Sequence, residues 1–170
     1  ARTNPGAYAG FLAETRKYYR GRYLEIPGRV RLITREGVAA VDEALRFLEG
    51  AAAVGALEPS KGMSRAAKDH VTDTGPRGLV GHGGSDGSNP SSRMNRYGSW
   101  RRTSGENIAY GHGVAREIVM QLIIDDGVAG RGHRKNIFNP AYRRIGVGFG
   151  PHRQYGSMCV QTLAGEYAEK

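Results

Sequence analysis

The sequence predicts an α+β fold, a layered sandwich of helices against a small antiparallel sheet, with no doubly wound parallel sheet. Three observations predict it: amphipathic helical patterns fill the first 75 or so residues, glycine-rich loops occupy the middle, and alternating strand patterns close the chain. A chain of 170 residues with 39% hydrophobic content is long enough for one well-buried core and short for two. Residues 1–170 are therefore expected to form a single domain, with an N-terminal helix and basic connector over 1–33 and the core over 34–170.

Asn4 is a capping side chain just before Pro5, which suits a first helical position. Tyr8, Phe11, Leu12 and Tyr18 follow near helical spacing, so the first helix is predicted to run to about Tyr19. A connector with Gly21, Pro27 and Gly28 leads to Thr34, the expected cap of a second helix whose apolar stripe is Val38, Val41, Leu45 and Leu48. A third helix is predicted from Ser60, with Met63, Ala66, Ala67 and Val71 inward. His70 sits on or near that face and reads as a structural histidine outside the site.

From Gly75 to Gly113 the chain holds ten of its 26 glycines, the composition of tight loops that let backbone approach a ligand. A short helix is predicted at Pro90 after Ser88-Asn89, and an extended segment over Glu106 to Tyr110. Ala115, Ile118, Val119, Leu122 and Ile123 define an amphipathic helix ending near Asp126-Gly127. Ile145, Val147 and Phe149 alternate as a strand does, and so do Met158, Val160 and Thr162. Pro151 to Tyr155 connect them as an antiparallel pair.

Twenty-five Lys and Arg against 16 Asp and Glu give a formal charge of +9 and a sequence pI near 10.0. Eight basic residues against Glu14 and Glu25 lie within residues 1–35, and six basic residues with no acid lie between Arg131 and Arg153. Such faces keep a protein soluble and favour anionic polymers or surfaces. No nucleic-acid motif accompanies them, so nucleic acid is disfavoured as a partner. The single cysteine, Cys159, excludes an intrachain disulfide and reads as a buried inert thiol. Ala51 to Leu57 is too short to span a bilayer, no signal-peptide pattern opens the chain, and the immediate approach to a helix suggests that earlier residues were removed.

Several chemical readings fail on context. Gly146-Val-Gly-Phe-Gly150 lies within a strand pattern and lacks a Walker lysine, so it is sheet glycine. Asp86-Gly87-Ser88 does not continue as a calcium loop and reads as a turn, and no Gly-x-Ser-x-Gly elbow is present. His112 and His152 read as solvent-exposed loop histidines. His82 and His133 differ because each stands in a glycine-flanked motif. With Glu106 and the Asp125-Asp126 pair they supply two imidazoles and two carboxylates on four separate segments, the groups that hold a divalent cation or move protons.

Taken in order, Gly81-His82, Asp86-Gly-Ser88 with Arg93, Gly105-Glu-Asn-Ile108, the Ile118 to Asp126 helix, Gly132-His-Arg-Lys-Asn-Ile-Phe138 and Ile145-Gly-Val-Gly148 resemble the CAP superfamily. This SCP-like group includes cysteine-rich secretory proteins, venom allergens and plant pathogenesis-related proteins. The likeness covers nearly the whole chain from Thr34 onward. It implies a three-layer α-β-α sandwich with a small central antiparallel sheet, and a central cleft lined by two histidines and two acids. Motif by motif these fall on His82, Glu106 and His133, with Asp125 as the second acid where many relatives carry glutamate. Asp126 stays open as the alternative at that position. The lack of several cysteines places the chain with bacterial members, and family resemblance alone implies a secreted or extracytoplasmic location.

The donor set suits Zn²⁺ or another divalent cation, held by His82 and His133 with Glu106 and Asp125 directly or through water. Without metal the same groups would form a hydrogen-bond network that organises the loops. Members of the group are described as lipid or sterol binders, signalling ligands, toxins and candidate proteases. The first expectation is a binding module for an extracellular lipid, glycan or protein. The second is a metal-assisted hydrolase with Glu106 or Asp125 as general base. The third is adhesion to an anionic polymer or the cell envelope through the basic faces. His82, Glu106 and His133 are expected to converge in one solvent-accessible cleft.

Overall fold

Asn4, Ser60 and Asn89 each cap the helix that follows them in this chain, whose 170 residues are all described by a computed structural model. It folds as two compact units, residues 1–54 with 119–138 and residues 55–118 with 139–170. Helices and sheets are both present, so the fold is α+β. No helix is long and apolar enough to cross a membrane.

In the first unit, the Asn4 side chain accepts from the Ala7 amide at 3.0 Å and Pro5 opens α1 (Pro5–Arg16). The helix stops before Tyr19. The Tyr18 amide bonds Thr15 O, and Tyr19–Arg20 (β1) pairs antiparallel with Tyr23–Leu24 (β2), which pairs with Leu32–Ile33 (β3). The basic connector is thus a small three-stranded meander, whose pairing partners lie beyond any local helical period.

The cap of α2 (Val38–Gly50) also differs from expectation. Thr34 spends its hydroxyl on Arg22 O, and the N-cap is Gly37 at φ +68°, where a Cβ would overlap Gly21 O. The fully buried face is Ala40, Val41, Ala44 and Leu48, with Val38 and Leu45 at its margins. Against α2 packs α1, with Leu12 buried and an Arg16–Asp42 ion pair outside it.

α5 (Ala115–Ile124) ends where the Asp126-Gly127 signal placed it, and Val119–Ile124 belong to the first unit. A further helix not foreseen in the sequence, α6 (Gly132–Phe138), follows. Its seven residues are too few for a periodic signature. Phe138 meets Phe47 of α2 edge to face at 5.2 Å.

In the second unit, Ser60 caps α3 (Lys61–Thr74) and Asn89 caps α4 (Pro90–Asn95), both as the sequence predicts. The sheet has the order β4-β6-β7-β5, made of Glu58–Pro59, Arg144–His152, Gly156–Glu169 and Gly98–Tyr110. The β6–β7 and β7–β5 pairs are antiparallel, as expected, and the two-residue β4 adds a parallel edge. β5 begins eight residues before Glu106 because its pairing with β7 extends past a bulge between Arg101 and Ser104, back to Gly98.

α3 lies on this sheet at glycine clearance. A Cβ on Gly148 would stand 2.6 Å from Ala67 C, one on Gly150 2.7 Å from Val71 Cγ1, and one on Gly146 would overlap the Met63 backbone. The alternating glycines of Gly146-Val-Gly-Phe-Gly150 are the groove into which a helix backbone settles. Ala67, Val71, Ile108, Met158 and Val160 fill the core beside it.

Candidate functional site

The four candidate side chains form two histidine–carboxylate pairs, one in each unit. In the second unit His82 lies in the glycine-rich loop between α3 and α4. The preceding peptide is held from both ends: the Gly81 amide donates to the Tyr110 hydroxyl at 3.0 Å, and the Gly81 carbonyl lies 2.8 Å from His70 Nε2. His70 is fully buried, as a structural histidine, and burial pushes its pKa below the usual imidazole value. It therefore positions the loop from behind.

Glu106 projects from β5 with its side chain 1% exposed and is bonded twice by Arg93 of α4, at 3.1 and 2.8 Å. Arg93 also donates to His82 O at 3.0 Å. The remaining contact of Glu106 Oε1 is His82 Nδ1 at 2.8 Å. A carboxylate accepting at Nδ1 fixes the tautomer and leaves Nε2 as the basic nitrogen, here on a ring that is half exposed. Arg93 is the residue that sequence reasoning missed as a partner. Its signal was an arginine in a short Asn-Pro-capped helix, which cannot by itself specify a buried acid on a distant strand.

The second pair is built at the junction after α5. Asp125 closes that helix at φ +55°, a left-handed conformation that Asp tolerates better than most side chains. Its carboxylate accepts from the His133 amide at 2.9 Å and lies 2.6 Å from His133 Nδ1, so it caps the first turn of α6 and orients the ring together. Arg134 is buried and donates to Ile123 O and Ile124 O, the orphan carbonyls at the end of α5, while also engaging Glu43 at 2.6 Å. Asp126 turns elsewhere, accepting from the Arg35 and Glu36 amides at 2.6 and 2.8 Å. Of the two adjacent aspartates, Asp125 is the one on His133.

Two histidines read from sequence as exposed loop residues are not. His152 is buried at the end of β6, with Nε2 3.1 Å from Leu79 O and Nδ1 accepting from the Gln154 and Tyr155 amides. It closes the hairpin between β6 and β7 beside Tyr110 and Tyr155. His112 is partly covered, and its Nδ1 lies 3.4 Å from Glu117. Cys159 is buried, as expected.

Chemically, each pair offers an imidazole whose Nδ1 is committed to a carboxylate. That is the arrangement in which a histidine ligates a borderline cation through Nε2. Within either unit no three His, Cys, Asp or Glu side chains gather at one point. The donor chemistry of each pair fits a cation through its histidine, His82 or His133, with Glu106 or Asp125 behind it.

A sequence profile of the CAP: Cysteine-rich secretory protein family matches residues 18–163. The protein YkwD of Bacillus subtilis (strain 168), described as uncharacterized, is 30% identical over 110 residues, 65% of this chain and 40% of YkwD. The chain thus spans well under half the length of that relative. Among solved structures, an extracellular protein containing a SCP domain from Bacillus anthracis str. Ames is 18% identical, with 75% of this chain and 37% of that one covered at a TM-score of 0.52. An outer surface protein from Borrelia burgdorferi is 17% identical, with 69% of this chain and 80% of that one covered at a TM-score of 0.53. At these identities the likeness is one of fold.

Proposed function

We propose that this chain, which belongs to the CAP (cysteine-rich secretory protein) family, is an extracytoplasmic binding module. In this reading the His82–Glu106 pair and the His133–Asp125 pair, each within its own unit, each take a divalent cation of the Zn²⁺ type through the histidine. The extracellular and outer-surface descriptions of the two structural neighbours support the location. The observation that carries the site is the buried Arg93–Glu106 pair, whose carboxylate reaches Nδ1 of a half-exposed His82. A protein that spends a buried ion pair on orienting one surface imidazole has fixed that ring's direction ahead of any ligand.

A bound cation would supply Lewis acidity and a bridge to ligand oxygen atoms. The chain's own part is to present oriented imidazole nitrogens without reorganisation. The same geometry favours binding over hydrolysis. Both oxygens of Glu106 are held by Arg93 and one also by His82, so this carboxylate orients an imidazole and has no solvent-facing lone pair with which to activate water.

Zn²⁺ titration followed by thermal unfolding tests the reading. Binding to the folded state is expected to raise Tm at neutral pH, and the gain is expected to shrink on acidification because protons compete with the cation for imidazole nitrogen. His82→Ala and His133→Ala should each remove the part of the gain that its own pair supplies, while His112→Ala should leave it. An equal gain in the double variant lacking His82 and His133, or no gain in the parent, would end the proposal.

A further inference from the structure

A separate cavity of ≈ 530 Å³ opens where the N-terminal part of β5 meets the C-terminal part of β7, lined by Arg101, Arg143, Arg144, Glu58, Glu166 and Tyr167 among others. None of the residues of the His82–Glu106 pair or its supports contributes to it. Sheet register explains the gathering. Arg101 stands opposite Glu166 across β5 and β7, and Glu58 opposite Arg144 across β4 and β6.

The charges do not cancel. Glu166 is taken by Arg102 at 2.8 Å and Glu58 by Arg144 at 3.0 Å. Arg101 and Arg143 are exposed and have no carboxylate partner. The backbone is irregular at the same place: the bulge between Arg101 and Ser104 contains Arg102 at φ +70°, a left-handed conformation rare for arginine. In a regular strand consecutive side chains point to opposite faces. Here Arg101 lines this cavity while Arg102 reaches across to Glu166, so the bulge gathers adjacent arginines on one stretch of β7.

We propose that this cavity binds a saccharide bearing a sulfate or phosphate ester. Arg101 and Arg143 supply planar guanidinium forks that match a tetrahedral oxyanion. Glu58 and Glu166, already held by their own arginines, offer acceptor lone pairs to sugar hydroxyls. A volume of ≈ 530 Å³ accommodates a ligand of this size. The mixture of unanswered guanidinium and buttressed carboxylate distinguishes this place from the basic stretch at residues 16–35, where Arg16, Lys17 and Arg31 already pair with Asp42, Glu14 and Glu25.

Amide chemical-shift titrations of the full chain with glucose 6-sulfate, glucose 6-phosphate and glucose test it at low salt. Both esters are expected to perturb Arg101, Arg143 and Gly165, and comparison of the two Kd values identifies the preferred ester. Glucose with the parent, and either ester with the Arg101→Gln/Arg143→Gln variant, should each bind at least about tenfold more weakly than the esters bind the parent. Both substitutions fall on exposed, unpartnered side chains, so the variant's thermal melt should coincide with the parent's. Unchanged affinity in the variant, shifts centred on residues 16–35, or no perturbation by either ester would overturn the assignment. Zn²⁺ binding plays no part in this outcome.

Discussion

Arg93 and Glu106 pair with both side chains 1% exposed, the guanidinium Nη2 lying 3.1 and 2.8 Å from the two carboxylate oxygens. A buried ion pair adds little net stability over apolar residues of the same size, yet removing one partner strands the other charge. Arg93→Ala is therefore expected to destabilise the protein by about 3–5 kcal/mol in urea unfolding. The double substitution Arg93→Met/Glu106→Leu should cost distinctly less. It should nevertheless lose the His82 share of the Zn²⁺-dependent gain in Tm, because His82 Nδ1 then has nothing to orient it. A single and a double variant of equal stability would contradict this account.

Glycine clearance between α3 and β6 makes a second prediction. A Cβ on Gly148 would come within 2.6 and 2.7 Å of the Ala67 carbonyl carbon and oxygen, a backbone that cannot yield without lifting the helix. Gly148→Ala should cost about 1–3 kcal/mol, the range of an overpacked core. Gly10 is the control, in the exposed interior of α1, where a Cβ would meet nothing within 4 Å. Gly10→Ala should stabilise by roughly 0.5–1 kcal/mol through the unfolded chain's lost freedom. Chemical denaturation of the two alanine variants side by side reads the opposite signs.

What the sequence made legible follows from how local each cause is. Asn4, Ser60 and Asn89 cap the helices that follow them within three residues, so their signals are complete in short windows. The β6–β7 hairpin likewise follows from alternation around a short connection. Tyr19 lies outside the first helix because it pairs with Tyr23–Leu24, a partner that becomes visible only once the meander forms. Thr34 lost its capping role to Gly37 for a similar reason, a close approach to Gly21 that no periodicity records. At the candidate site the histidines and acids stood out by motif. Their second partners, Arg93 for Glu106 and the His133 amide for Asp125, are tertiary facts, and so is the burial of His152.

Cys159 faces Ala109 and Phe149 across the sheet, and burial pushes its thiol pKa up to about 11. The thiolate is the reactive species, so at pH 8 the folded protein should hold almost none of it. A chromogenic thiol reagent is expected to react negligibly with the native protein and to label one equivalent once urea unfolds it. Rapid labelling of native protein would mean that β7 opens locally far below the global unfolding free energy.

Glu36 gives the acid limb of stability. Its carboxylate binds Arg131 through both oxygens at 2.6 and 2.7 Å and accepts from the Gly127 amide at 2.6 Å. The hydrogen bonds from Arg131 first, and then from Gly127, lower its pKa from 4.5 to about 2. Because the folded state holds the proton less tightly than the unfolded chain, the contribution is fully present above about pH 4.5 and is lost as pH falls toward 2. Arg134 lowers the pKa of Glu43 in the same way, so the two acids add to one slope. Glu36→Gln should flatten the fall of Tm across that window while lowering Tm at pH 7, where the parent carboxylate is charged. The partial exposure of Glu36 and screening by salt limit the size of the effect, so 1 M NaCl should shrink the difference between parent and variant. Melting curves collected from pH 7 to pH 2 check both signs, and parallel curves for parent and variant would remove Glu36 from the acid transition.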